Sequence, residues 1–171
     1  PADALALYDS VLATYPKSNN VETARLRRSS LYLTIKQPDK ALGDLQDLST
    51  RTGSMGYDAG LKLADALFAK HDYKAARDEY MKVAERAPTD QQRLDARLKA
   101  GDCEEAMGDY ASAAESYLRL LRDSKVDAAK ASARLRYGNA LALGGDVDRG
   151  LTELKNVVDD FPRSPYAAEA L

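Results

Sequence analysis

Apolar and polar positions follow a helical rhythm along this chain, and the rhythm recurs. Small residues stand at Ala4, Ala41, Ala76, Ala113 and Gly150, spaced 37, 35, 37 and 37 residues apart. Four positions after each comes a large side chain: Tyr8, Leu45, Tyr80, Tyr117 or Leu154. Three further on comes an apolar one: Val11, Leu48, Val83, Leu120 or Val157. Residues so spaced share one face of an α-helix. A second amphipathic segment precedes each of the last four. Tyr57 to Lys70 carries Leu61, Ala64, Leu67 and Phe68; His71-Asp72-Tyr73 turns the chain; Lys74 to Ala87 carries Ala76, Tyr80, Val83 and Ala84, and Pro88 stops it. Lys36-Gln37-Pro38, Gly108-Asp109-Tyr110 and Gly144-Gly145-Asp146 make the matching turns.

The pattern predicts helices over Ala2–Tyr15, Val21–Ile35, Pro38–Arg51, Tyr57–Lys70, Tyr73–Ala87, Gln91–Met107, Tyr110–Arg122, Asp127–Leu143 and Val147–Asp160. No strand-like alternation occurs. Ser49 to Gly56, with two glycines and the one short spacing, reads as a loose connection. A further helix begins at Pro165, and with its second half missing it is expected to leave Tyr166 and Ala167 poorly covered. The start at Pro1 and the stop at Leu171 read as a piece of a longer protein. A near-constant period of this size means stacked supersecondary units whose only core is the seams between neighbours. Tyr80 and Tyr117 are therefore expected to be buried in such seams, with Ala76 and Ala113 at close helix contacts.

Composition narrows the function. A chain that is 44% apolar and 30% charged, with no Trp, is a folded composition rich in helix formers. Its net charge of −2 offers no electrostatic footprint for nucleic acid or an anionic membrane. No stretch approaches the roughly 20 apolar residues that span a bilayer. Cys103 and His71 are each the sole residue of their type, so no internal disulfide, thiol metal site or histidine cluster is expected. Cys103 reads as a packed thiol and His71 as a turn filler. Glu104 and Glu105 adjoin Cys103, but neighbours on a helix point apart and make no paired-carboxylate site. With no phosphate loop, nucleophile elbow or metal motif, no catalytic residue, cofactor or metal ligand is predicted, and the chain reads as no enzyme.

The small, large and apolar positions after a Gly-Asp-Tyr turn and before a Pro resemble the tetratricopeptide repeat, whose unit is about 34 residues. The resemblance covers nearly the whole chain. It implies an all-α, right-handed superhelical solenoid of antiparallel helix pairs. It further implies one array over 1–171: a partial repeat 1–18, repeats 19–55, 56–90, 91–127 and 128–164, and the start of a helix over 165–171. In the repeat's own count, position three is Ala24, Ala59, Ala96 and Ala133, and position eight is Ser29, Ala64, Gly101 and Gly138. Small residues there let the two helices of a unit approach. Three departures stand out. Position four carries Arg25, Gly60, Arg97 and Arg134 in place of a large residue. Position twenty of the last unit is Gly150. Position thirty-two lacks Pro at Gly53 and Lys125. The terminators Tyr15-Pro16-Lys17-Ser18 and Phe161-Pro162-Arg163-Ser164, the latter followed by an Ala-rich helix start, resemble those of bacterial cell-envelope members of the family. Such members include the lipoprotein that helps assemble outer-membrane barrels and the periplasmic Tol-associated coordinator.

The resemblance implies that the first helices of each pair line a groove. Position five is Leu26, Leu61, Leu98 and Leu135: a stripe for a peptide, or core packing against the adjacent repeat. Position six is Arg27, Lys62, Lys99 and Arg136: a basic ladder suited to acidic peptides, or a solvated face. Position nine carries Asp65, Asp102 and Asn139, and Lys62 and Lys99 stand three residues before the two aspartates, the spacing of ordinary surface pairs. Leucine at position five departs from the family's carboxylate clamp, which needs Lys there. The partner-binding set expected on this basis is Leu61, Lys62, Asp65, Leu98, Lys99, Asp102, Leu135, Arg136 and Asn139. The function implied is a non-enzymatic scaffold for a protein or peptide, in a bacterial envelope assembly and so in the periplasm or at the outer membrane. That location is favoured over the cytoplasm, and the alternative function is a regulatory or accessory domain of a larger enzyme or signalling protein. Open repeat ends offer a route to homo-oligomers; nucleic acid and direct membrane insertion are not expected.

Overall fold

In the computed structural model, residues 1–18 and 20–171 are described. They form ten helices and, among those residues, no strand. The chain divides into two compact units, Pro1–Val83 and Ala84–Leu171. In the first, α1 (Ala2–Thr14) packs on α2 (Val21–Thr34), α2 on α3 (Pro38–Leu48), and α3 on α4 (Gly53–Ala69), with α2 also touching α4. Most of α5 (Tyr73–Glu85), up to Val83, belongs to this unit. In the second, α6 (Asp90–Ala106), α7 (Tyr110–Asp123), α8 (Asp127–Leu143) and α9 (Val147–Asp160) pack in sequence, α6 touches α8, and the short α10 (Pro165–Glu169) lies on α8 and α9. No helix among the described residues is long and apolar enough to cross a membrane.

The turns within the helix pairs are alike. Lys36, His71, Gly108 and Gly145 all take positive φ. The next residue's N–H reaches back to the last turn of the helix just ended: Gln37 to the Tyr32 carbonyl, Asp72 to Leu67, Asp109 to Glu104 and Asp146 to Leu141, at 2.8 to 3.0 Å. Together with the bonds from Lys36, His71, Gly108 and Gly145 to Leu33, Phe68, Glu105 and Ala142, these are Schellman closures that satisfy the exposed carbonyls. Two of the four use glycine; Lys36 and His71 accept the left-handed conformation at a steric cost. Asp72, Asp109 and Asp146 then cap the following helix through the N–H groups of Ala75, Ser112 and Arg149.

The seams are built on the small positions. Ala41, Ala76 and Ala113 are fully buried, as are Tyr117 and, nearly so, Tyr80. Ala41, Leu45 and Leu48 of α3 pack with Ala59, Leu63 and Ala66 of α4. Leu94, Ala113, Tyr117, Leu120, Ala133 and Tyr137 form the corresponding cluster in the second unit. Gly150, a departure from alanine in sequence terms, has a packing reason. A methyl group on it would lie 2.7 Å from the Gly138 carbonyl oxygen and 2.8 Å from Ala142 Cβ. Positions eight and twenty are both glycine in this pair because the backbones of α8 and α9 meet there.

Two expectations are corrected. The stretch from Ser49 to Gly56 is no loose connection, because α4 begins at Gly53 rather than Tyr57. Gly53 takes φ +72°, and a side chain on Gly56 would overlap the Arg51 carbonyl oxygen, 1.7 Å from its Cβ. Both glycines are thus needed for a tight corner. Ala167 is buried and Tyr166 half-buried, since α10 docks on α8 and α9; five residues are enough to cover that face.

Candidate functional site

Two of the position-four arginines that interrupt the repeat pattern, Arg25 and Arg134, are cross-helix ties. Arg25 Nε donates to Asp44 Oδ1 at 2.8 Å and its Nη1 to Asp47 Oδ2 at 2.6 Å. Arg28 also grips Asp44, and reaches Asp9 of α1 at 2.7 Å. Arg28 thus joins three helices, α2 to α3 through the nearly buried Asp44 and α2 to α1 through Asp9. The hydrogen bond to Asp44, working against burial, holds the Arg25 guanidinium above its ordinary pKa. Arg134 repeats the motif with Asp160 and with Glu153 at 3.7 Å, and lies over the Phe161 ring.

The expected partner-binding residues fall in two groups. In the first unit, Leu61 and Lys62 are half-buried on α4. Asp65 accepts a 2.5 Å hydrogen bond from the Tyr80 hydroxyl of α5. In the second unit, Asp102 of α6 accepts from the Tyr117 hydroxyl of α7 at 2.8 Å and also from Arg136 of α8. One carboxylate therefore links three helices. Leu98 packs against the core cluster, Leu135 is buried at 3% exposure, Lys99 is half-buried and Asn139 is exposed. The leucine stripe thus contributes to the core in this unit, and Arg136 of the ladder is held by Asp102. Cys103 is fully buried, and His71 Nδ1 lies 2.5 Å from the Tyr73 hydroxyl within its turn.

Glu105, in sequence one of two adjacent carboxylates that make no paired site, is set by burial, by Asp102 of its own helix and by Arg136 of α8. Its Oε1 is buried with no hydrogen bond among the described residues. Burial first, and the Asp102 charge second, raise its pKa, while Arg136 lowers it. Burial opposes the Arg136 charge, yet Asp102 and Tyr117 keep that guanidinium above its ordinary value. The Tyr117 hydroxyl is pushed far up, by burial and then by Asp102 and Glu105.

A consequence is measurable. A carboxyl group whose pKa is raised by folding binds protons more readily in the native state, so its ionisation opposes folding. Its favourable contribution is complete below the ordinary glutamate pKa and is lost as pH rises through the raised value. Glu105→Gln should therefore raise the denaturation midpoint at pH 7, with the gain vanishing near pH 4. Equal effects at both pH values would contradict the burial of this charge.

Comparison with known proteins rests on these same features. The tetratricopeptide repeat model matches residues 26–92 and 98–168, most of the chain. The chain belongs to the tetratricopeptide repeat family. Two solved structures share its fold, both crystal structures of MamA, at a TM-score of 0.72 and 22% identity. Each match covers 93% of this chain, with 87% of one MamA chain and 81% of the other. No match was found among the curated proteins. The matched segments each begin on a first helix of a pair and span two pairs, the units of tetratricopeptide architecture.

Proposed function

We propose that this chain is a non-enzymatic scaffold that binds a protein or peptide partner on the first-helix faces of its repeats. In the second unit these are the faces of α6 and α8 carrying Leu98, Lys99, Asp102, Arg136 and Asn139, with Leu135 buried beneath them; in the first, the face of α4 carrying Leu61, Lys62 and Asp65. The observation that carries the reading is the Tyr117–Asp102–Arg136 tie. It fixes polar groups of two neighbouring first helices in place before any partner arrives, which lowers the ordering cost of binding. Family membership supports a protein partner, because stacked helix pairs present extended preformed surfaces.

The test begins with a partner captured from source cells, identified and purified. Lys99→Glu combined with Asn139→Arg should weaken its binding at least about tenfold, the scale of losing a central interface residue. A matched change on a second helix, Glu115→Lys, should leave binding intact. The reverse pattern would move the site to the second helices. Placement in a bacterial envelope assembly is supported by the Tyr15-Pro16 and Phe161-Pro162 terminators. Recovery of the native gene product solely from the cytosolic fraction of its source cell would overturn that part.

A further inference from the structure

The repeat pattern exposes a missing counter-ion. Arg25 and Arg134 stand at position four, and each binds an acidic residue on the next helix: Asp44 for the first, Glu153 for the second. Arg97 occupies the same position in its own repeat, but the residue matching Asp44 and Glu153 is Ser116. Asp123 stands where Asp160 stands in the next repeat, the residue that Arg134 also binds. Among the described residues neither the Arg97 nor the Asp123 side chain makes a hydrogen bond or ion pair. Both instead line a cavity of about 380 Å³ between the start of α6 and the connection from α7 to α8.

Lys125, exposed and likewise unpaired among the described residues, is a second cation on its rim. Arg93 also lines it, but its charge is met by Asp90 at 2.6 Å. Leu94 and Val126 supply an apolar wall, and Val126 is 38% exposed. The Ser124 hydroxyl is engaged by the Val126 backbone and shapes the connection. We infer that this cavity binds a carboxylate carried beside an aliphatic group, as in an acidic-aliphatic peptide segment. The Arg97 guanidinium offers the planar fork that matches a carboxylate. Lys125 adds charge, Leu94 and Val126 take the aliphatic part, and the volume falls in the range of small-ligand sites, roughly 300–1,000 Å³. Asp123 competes with the ligand for Arg97. Its lining residues on α6 are Asp90, Arg93, Leu94 and Arg97, none of them in the proposed scaffold set, so either can fail alone.

The experiment titrates the whole 171-residue chain with N-acetyl-Leu-Asp-amide, followed by amide NMR shifts. The Leu-Asn amide and inorganic phosphate serve as comparison probes. Saturable shifts confined to residues 93–97 and 123–126 are expected for the aspartyl probe, weakened by salt. Arg97→Gln should reduce affinity at least about tenfold, as for loss of a charge-assisted pair. Lys125→Gln should reduce it less, and Asp123→Asn should tighten it. Circular dichroism of each variant separates lost binding from lost structure. Equal binding of the asparaginyl probe, phosphate binding as tight as the aspartyl probe, or unchanged affinity in Arg97→Gln would overturn the inference. So would Asp123→Asn lowering the melting temperature without tightening binding, since Arg97 and Asp123 would then be a closed internal pair.

Discussion

Replacing Tyr117 by alanine should lower the stability of the second unit by about 3–5 kcal/mol, the range for truncating a fully buried aromatic residue. The ring has no exposed surface and sits among Ala113, Leu120, Ala133 and Tyr137. It also rests against Gly101, where an added methyl would come within 2.5 Å of its Cε1. Truncation therefore opens a cavity on α6 that no side chain at Gly101 can fill. Tyr117→Phe separates packing from polarity. It keeps the ring and deletes only the bond to Asp102, so the loss should fall to about 1.5–3 kcal/mol, the scale of a hydrogen bond to a charged group. Urea denaturation of both variants measures the difference. Equal losses would mean that the ring packs loosely and the hydroxyl carries the effect.

The second large effect belongs to Asp44. Alanine there removes the carboxylate that Arg25 and Arg28 share, and leaves two cations whose side chains are only 25% and 22% exposed. Breaking a fully buried pair costs about 3–5 kcal/mol. The cost here should be lower, about 2–3 kcal/mol, because Arg25 retains Asp47 and Arg28 retains Asp9. A double-mutant cycle with Arg25→Met should show coupling of the same sign. A loss below about 0.5 kcal/mol would place the tie among ordinary surface bridges.

The helices themselves were legible because their signals are local. The small, large and apolar positions lie on one helix face, and each turn announces itself through Gly, Pro or an Asp cap. Val147–Asp160 and Asp127–Leu143 fall where the periodicity puts them. Gly53 and Gly56 misled because a glycine pair reads the same whether it loosens a loop or admits a close backbone contact. Only the position of the Arg51 carbonyl separates the two. The candidate face was less legible for a related reason. Lys99 and Asp102 look like an intrahelical pair in sequence, but the partners shown for Asp102 come from α7 and α8. Arg25 and Arg134 likewise look like defects until the acidic residues of the next helix are seen beside them. Contacts between helices depend on how each helix is rotated, which periodicity within a helix does not state.

Small residues at positions eight and twenty set the distance between paired helices, and one substitution turns that into a question of sign. Gly150→Ala improves the intrinsic helix preference of α9 by about 1 kcal/mol. It also drives a methyl group into the Gly138 carbonyl and Ala142, an overpacking that costs about 1–3 kcal/mol. The denaturation midpoint of Gly150→Ala, measured beside that of the parent chain, decides between them. Close helix pairing predicts a fall. A rise would show that α8 and α9 do not meet at their glycines and would contradict the repeat geometry on which the scaffold reading depends.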